Sequence, residues 1–146
     1  YDLKGTPLEG VVKKYTIIKR NGVKIGLFAL DPKLEGLVSK ANYGIIKYLD
    51  PVAVANEMAT MLKKDKKCDL VICISHLGWE ENGMGDQMMI AGSRNIDLVL
   101  GGHSHTYFKT LRYIKNLDGK NIPVDQNGKN AIYVGKMILD LTQSKK

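Results

Sequence analysis

The chain has 146 residues, enough for one domain with its own core, and its 44% hydrophobic and 25% charged residues exclude a disordered or low-complexity protein. No apolar run approaches the roughly 20 residues of a membrane helix, so no transmembrane segment is expected, and two cysteines are too few for a disulfide scaffold. The net charge of +7 invites a nucleic-acid reading, but the basic residues lack the interleaved aromatics of a base-stacking platform, so no nucleic-acid partner is expected.

Residues 1–10 carry Gly5, Pro7 and Gly10 and read as an irregular lead-in. They hold no basic head followed by an apolar stretch, and no initiator Met, so the chain reads as a processed product or an excised fragment. Two runs rich in β-branched residues, 11–20 and 23–30, flank Asn21-Gly22. That dipeptide is the strongest short hairpin signal, because a type I′ turn needs positive φ at both positions. From Ile25 onward the second strand is almost continuously apolar, which predicts burial on both faces.

Residues 31–49 read as a long loop with room for a short helix. Asp50-Pro51 then opens a helix over 51–67, with an N-cap acceptor and a proline at the first turn. Val52, Ala55, Met58, Ala59 and Leu62 form its apolar stripe, and Met58 and Met61 read as core packing. Lys63, Lys64, Lys66 and Lys67 complement its carbonyl end.

A strand over 70–75 follows, containing Cys73 as a small buried hydrophobe. Cys68, five residues earlier, is poorly placed for a disulfide with it. A glycine-rich loop leads to Asp86, which reads as the cap of a helix over 87–94 with Met88, Met89 and Ile90 turned inward. Residues 96–100 form the next buried strand. Strand, helix and strand between 69 and 102 have the length of a βαβ unit, which implies parallel strands. Further on, strands over 111–115 and 120–124 flank an Asp118-Gly119 turn, and Pro123 calls for an edge strand or bulge. Asn127-Gly128 and Asn130 turn the chain into a last strand over 131–141.

The chain has three histidines, His76, His103 and His105, and each stands just beyond an apolar strand. In open α/β sheets ligand chemistry gathers outside the carboxyl ends of the strands. Parallel pairing of the two strands therefore brings all three to one rim, as metal ligands or catalytic groups. In an extended loop His103 and His105 are offset enough to serve two different ions. Gly101-Gly102 would let the backbone turn sharply beside the site. Asp97, Glu80, Glu81 and Asp86 are candidate carboxylate partners for a histidine. Ser75 and Ser104 lack a nucleophile elbow and read as hydrogen-bonding loop residues.

The segment Asp97-Leu98-Val99-Leu100-Gly101-Gly102-His103-Ser104-His105-Thr106 resembles the final Gly-His-x-His motif of the calcineurin-like metallophosphoesterases. Ser75-His76-Leu77-Gly78 resembles their preceding single-histidine motif. The closer similarity is to the 5′-nucleotidase branch, some members of which hydrolyse UDP-sugars. Val23–Leu30, Tyr48-Leu49-Asp50-Pro51 and Val124-Asp125-Gln126-Asn127-Gly128 share in it.

The resemblance implies half of a four-layer α/β/β/α sandwich, with a mixed sheet, a βαβ unit and antiparallel hairpins. It implies two-metal hydrolysis of nucleotides or related phosphate esters, with Mn, Zn, Fe or Co as the ions. His76 and His103 would bind one ion and His105 the other. The family's earlier motifs, Asp-x-His, Gly-Asp-x-x-Asp and Gly-Asn-His-Asp/Glu, are absent. Residues 1–146 therefore read as the C-terminal portion of a catalytic domain. Its partner is the missing N-terminal half, the catalytic residues lie upstream, and this chain is inactive alone. By resemblance the setting is periplasmic or cell-surface. The alternative is a non-catalytic metal- or nucleotide-binding module of the same ancestry.

Overall fold

The computed structural model describes residues 1–80 and 83–141. Six strands form one mixed sheet: β1 (Thr16–Arg20), β2 (Val23–Leu30), β3 (Leu70–Ser75), β4 (Leu98–Leu100), β5 (Arg112–Lys115) and β6 (Asn121–Asp125), in spatial order β1-β2-β3-β4-β6-β5. The helices are α1 (Lys40–Tyr43), α2 (Pro51–Thr60) and α3 (Asp86–Ala91). No helix among the described residues is long and apolar enough to cross a membrane.

The hairpin β1–β2 turns as its sequence dictates, with Asn21 at φ 47° and Gly22 at φ 81°, so that Arg20 pairs with Val23. The pairs β2–β3, β3–β4 and β4–β6 are parallel, and β5–β6 is antiparallel. The segments β2-α2-β3 and β3-α3-β4 are thus two successive βαβ units, and the ends of β2, β3, β4 and β6 share one rim.

One face of the sheet is packed. Phe28, Cys73, Val99 and Val124 stand in one row across it and meet Ala55, Ala59 and Leu62 of the α2 segment and Met89 and Ile90 of α3. α2 and α3 cover this face, one α/β pair of layers. On the other face Ala29, Ile74 and Leu100 form a second row and are exposed, Ile74 by 49% and Leu100 by 40%. The continuous apolar run of β2 is therefore not buried on both faces.

Asp50 caps α2, accepting a hydrogen bond from the Ala53 amide at 2.7 Å, and Pro51 starts the helix. Replacing Asp50 by alanine is expected to lower stability by about 1 kcal/mol, read as a lower urea midpoint at unchanged m. The helix predicted over 51–67 is α-helical to Thr60 and continues as a π-helical turn, Met61–Asp65. Met58 is buried and Met61 packs against the core. Cys68 and Cys73 are buried free thiols.

Four further expectations about the elements need correction. The first strand starts at Thr16, because residues 8–12 fold into successive turns that leave Val11 and Val12 exposed. Met88 points outward, whereas Met89 and Ile90 are fully buried, since α3 is only six residues long and presents a narrow face. Pro123 lies in β6, an interior strand. It is tolerated because β4 is three residues long and its register with β6 begins one residue later, at Val99 opposite Val124. Residues 131–141 are irregular rather than a strand. Asn130 and Ala131 both adopt positive φ, and Ile132, Val134 and Ile138 remain exposed without a strand to pair with. Residues 142–146 lie outside the described part.

Candidate metal centre

His76 directly follows β3, and its amide donates to the Leu30 carbonyl at the end of β2 at 2.7 Å. His103 lies three residues beyond β4. The two imidazoles meet edge to face, with ring centroids 5.1 Å apart. His76 is exposed and His103 half-buried. His105 is exposed, two residues further along the same loop. Among the described residues no three His, Cys, Asp or Glu side chains converge so as to hold one ion.

The sharp turns of the loop fall on the histidines themselves. His103 has φ 71° and His105 φ 57°, both left-handed. This conformation costs a non-glycine residue roughly 1–2 kcal/mol, and such strain gathers at functional sites. Gly101 and Gly102, expected to supply the sharp turn, do not adopt positive φ. They are bare because neighbours come close. A Cβ on Gly101 would stand 2.6 Å from Asp86 Oδ2, and one on Gly102 3.0 Å from His76 Nδ1.

Asp86 is the first residue of α3, with Gly85 at the cap position, so it does not cap the helix as predicted. Its side chain is fully buried beneath the histidine loops. Oδ1 accepts the Ser75 hydroxyl at 2.5 Å, and Oδ2 has no hydrogen-bond partner. Burial pushes this carboxyl up to about 6, against the opposing pull of the Ser75 hydrogen bond. The other candidate carboxylates serve elsewhere. Asp97 Oδ2 accepts the Val71 amide at 2.8 Å and pairs with Lys63 at 2.7 Å, tying β4 to β3 and the end of α2. Glu80 accepts from Gln87. Glu81 lies outside the described residues.

Gln126, one residue beyond β6, plays a part that its sequence does not announce. It is 1% exposed, and its amide is used at both ends. Nε2 donates to the Gly102 carbonyl at 3.0 Å. Oε1 accepts the Thr106 amide at 2.6 Å and the Ser104 hydroxyl at 2.9 Å. Ser104 Oγ also accepts the Trp79 amide at 3.0 Å, and Trp79 packs edge to face on Phe108 at 4.8 Å. Ser75 and Ser104 are thus hydrogen-bonding loop residues. The stretch 124–128 shares in the family resemblance, but nothing in it gives Gln126 a role, and only its burial exposes one.

No family model matches the chain. It is 29% identical over 146 residues to an apyrase of Tabanus yao, covering 90% of this chain and 25% of that one. It is 32% identical over 101 residues to the 5′-nucleotidase of Vibrio cholerae, covering 62% of this chain and 18% of that one. The solved 5′-nucleotidase precursor of Thermus thermophilus superposes with a TM-score of 0.73 at 26% identity, covering 86% of this chain and 26% of that one. The chain therefore spans about a quarter or less of the length of these relatives. Sequence similarity and fold lead to the same group: the chain is a homologue of the 5′-nucleotidases, the branch that its histidine motifs resemble.

Proposed function

We propose that this chain is the C-terminal portion of a catalytic domain that hydrolyses phosphate esters, nucleotides above all, with divalent metal ions. The observation that carries the reading is the pair His76 and His103, edge to face where two parallel strands end, with His105 two residues further along the same loop. Relatives named 5′-nucleotidase and apyrase support nucleotides as the substrate class. The exposed row Ala29, Ile74 and Leu100 supports a second layer seated against this sheet, contributed by the rest of a longer protein.

Imidazole nitrogens suit Mn, Zn, Fe or Co, so the donor chemistry fits the implied ions. His76 and His103 would hold one ion and His105 a second. When bound, such ions neutralise phosphoryl oxygens and acidify a water for in-line attack. The chain's own part is to present the donors. Neutral imidazoles add no negative charge, so the full field of the cations stays on the phosphate. The left-handed backbone at positions 103 and 105 sets the direction of the two side chains. The bridging carboxylate and the groups that grip the phosphate are assigned to the missing half. The periplasm or cell surface is the proposed setting.

The chain alone is expected to hydrolyse AMP and p-nitrophenyl phosphate in Mn²⁺ no faster than buffer, because two or three imidazoles without a bridging carboxylate do not hold two dications. Co-expression with the sequence encoded immediately before it is expected to restore turnover. Enzyme-like rates from the pure chain would contradict the fragment reading. Metal binding without turnover in the reconstituted protein would favour a non-catalytic module.

A further inference from the structure

We infer that Gln126 is the positioning residue of the histidine loop, fixing His103 relative to His76. The inference rests on the proposed role of these histidines as ligands. It arises from a hydrogen-bond network in which each polar group has one consistent role. Thr106 N–H can only donate and the Gly102 carbonyl can only accept, so the Gln126 amide has a single orientation, oxygen toward Thr106 and nitrogen toward Gly102. The two anchors bracket the loop: Gly102 stands just before His103 and Thr106 just after His105.

Ser104, between the histidines, completes the arrangement. Its hydroxyl proton goes to Gln126 Oε1, leaving its lone pairs for Trp79 N–H and for the Thr106 hydroxyl at 2.9 Å. Through Ser104 the glutamine therefore reaches the loop that follows His76. One buried amide just beyond β6 thus ties together the loops that carry all three histidines.

The loop needs this restraint because both histidines occupy left-handed backbone. Freed of the amide, residues 102–106 have a lower-energy alternative, and the imidazoles turn with them. Backbone bonds to β6 and its continuation hold the two flanks: Gly101 N–H to the Asp125 carbonyl at 2.8 Å before the histidines, and Phe108 N–H to the Gln126 carbonyl at 3.0 Å and Gly128 N–H to the Thr106 carbonyl at 2.9 Å after them. Between these flanks the loop has one local bond, Ser104 N–H to the Gly102 carbonyl at 2.9 Å, and is tied to the rest of the molecule by the Gln126 side chain and by Trp79 through Ser104.

The test uses the complete chain and three variants. Gln126→Met keeps the volume and removes the amide; Ser104→Ala cuts only the link to Gln126 and Trp79. Leu62→Ala truncates the fully buried core beneath the opposite end of the sheet and serves as the stability control. Proton NMR of the metal-free chain reads the cross-peaks between the His76 and His103 rings, and Co²⁺ titration reads affinity. Gln126→Met is expected to lose the cross-peaks and to weaken Co²⁺ binding by about tenfold or more, the usual cost of removing an outer support of a metal ligand. Ser104→Ala should move both in the same direction, and it decides the matter if Gln126→Met does not fold. Leu62→Ala should lower Tm and leave the cross-peaks in place.

Unchanged cross-peaks in the folded Gln126→Met or Ser104→Ala chain would overturn the inference, as would an equal loss in Leu62→Ala. A native chain that binds no Co²⁺, yet loses its cross-peaks in both site variants, would support the positioning role and refute the metal reading.

Discussion

Replacing His103 by alanine in the reconstituted protein is expected to lower metal-dependent AMP hydrolysis by about 100-fold or more. Loss of an outer support already costs roughly 10- to 100-fold, and loss of a ligand costs at least as much. The half-buried His103 packs against the exposed His76, so its removal leaves His76 without an imidazole partner at 5.1 Å. A paired substitution separates chemistry from stability. At φ 71° glycine is unstrained whereas alanine is not, so His103→Gly should be more stable than His103→Ala by about 1 kcal/mol while equally inactive. Activity and chemical denaturation measured on both variants check the two halves of this expectation. Full activity in either would remove His103 from the site, and lower stability of the glycine variant would contradict the left-handed backbone.

Replacing Asp86 by asparagine is expected to stabilise the chain at neutral pH by up to about 3 kcal/mol. The carboxyl stands at about 6 in the folded state against 3.8 for an ordinary aspartate, and that difference of about 2.2 corresponds to about 3 kcal/mol. The raised pKa means that the folded state binds this proton more tightly than the unfolded chain. The carboxyl is therefore harmless below about pH 4, where both states are protonated. Its stabilising proton is lost as pH rises through 6, and the penalty is complete above that. Asparagine keeps an acceptor for the Ser75 hydroxyl and never ionises. The gain in Tm should thus be absent at pH 4, grow between pH 4 and 6, and level off above 7. A difference between wild type and Asp86→Asn that stays flat from pH 4 to 8 would refute the account. The carboxylate sits 2.6 Å from where a Gly101 side chain would begin, directly under the histidine loops. A buried titratable group with a raised pKa in that place is characteristic of functional sites.

Local chemistry alone determined the hairpin at Asn21-Gly22, the capped start of α2, the strand order β3-β4 around α3 and the position of all three histidines just beyond strand ends. Each depends on neighbours in sequence: a turn needing positive φ, an N-cap, an apolar run of strand length. The family resemblance was legible for the same reason, because its motifs are contiguous. Tertiary structure decided what depends on distant partners. Residues 131–141 have the composition of a strand but pair with none of the six, their start turned away by positive φ at Asn130 and Ala131; Pro123 sits inside a sheet because β4 is short. Asp86 reads as a helix cap until burial turns its carboxylate toward Ser75, and Gln126, one residue of a shared stretch, has no legible role until its amide is enclosed between Gly102 and Thr106. The left-handed backbone falls on His103 and His105 rather than on the adjacent glycines, because hydrogen bonds with Trp79 beyond β3 and Gln126 beyond β6, and not local preference, set the path of that loop.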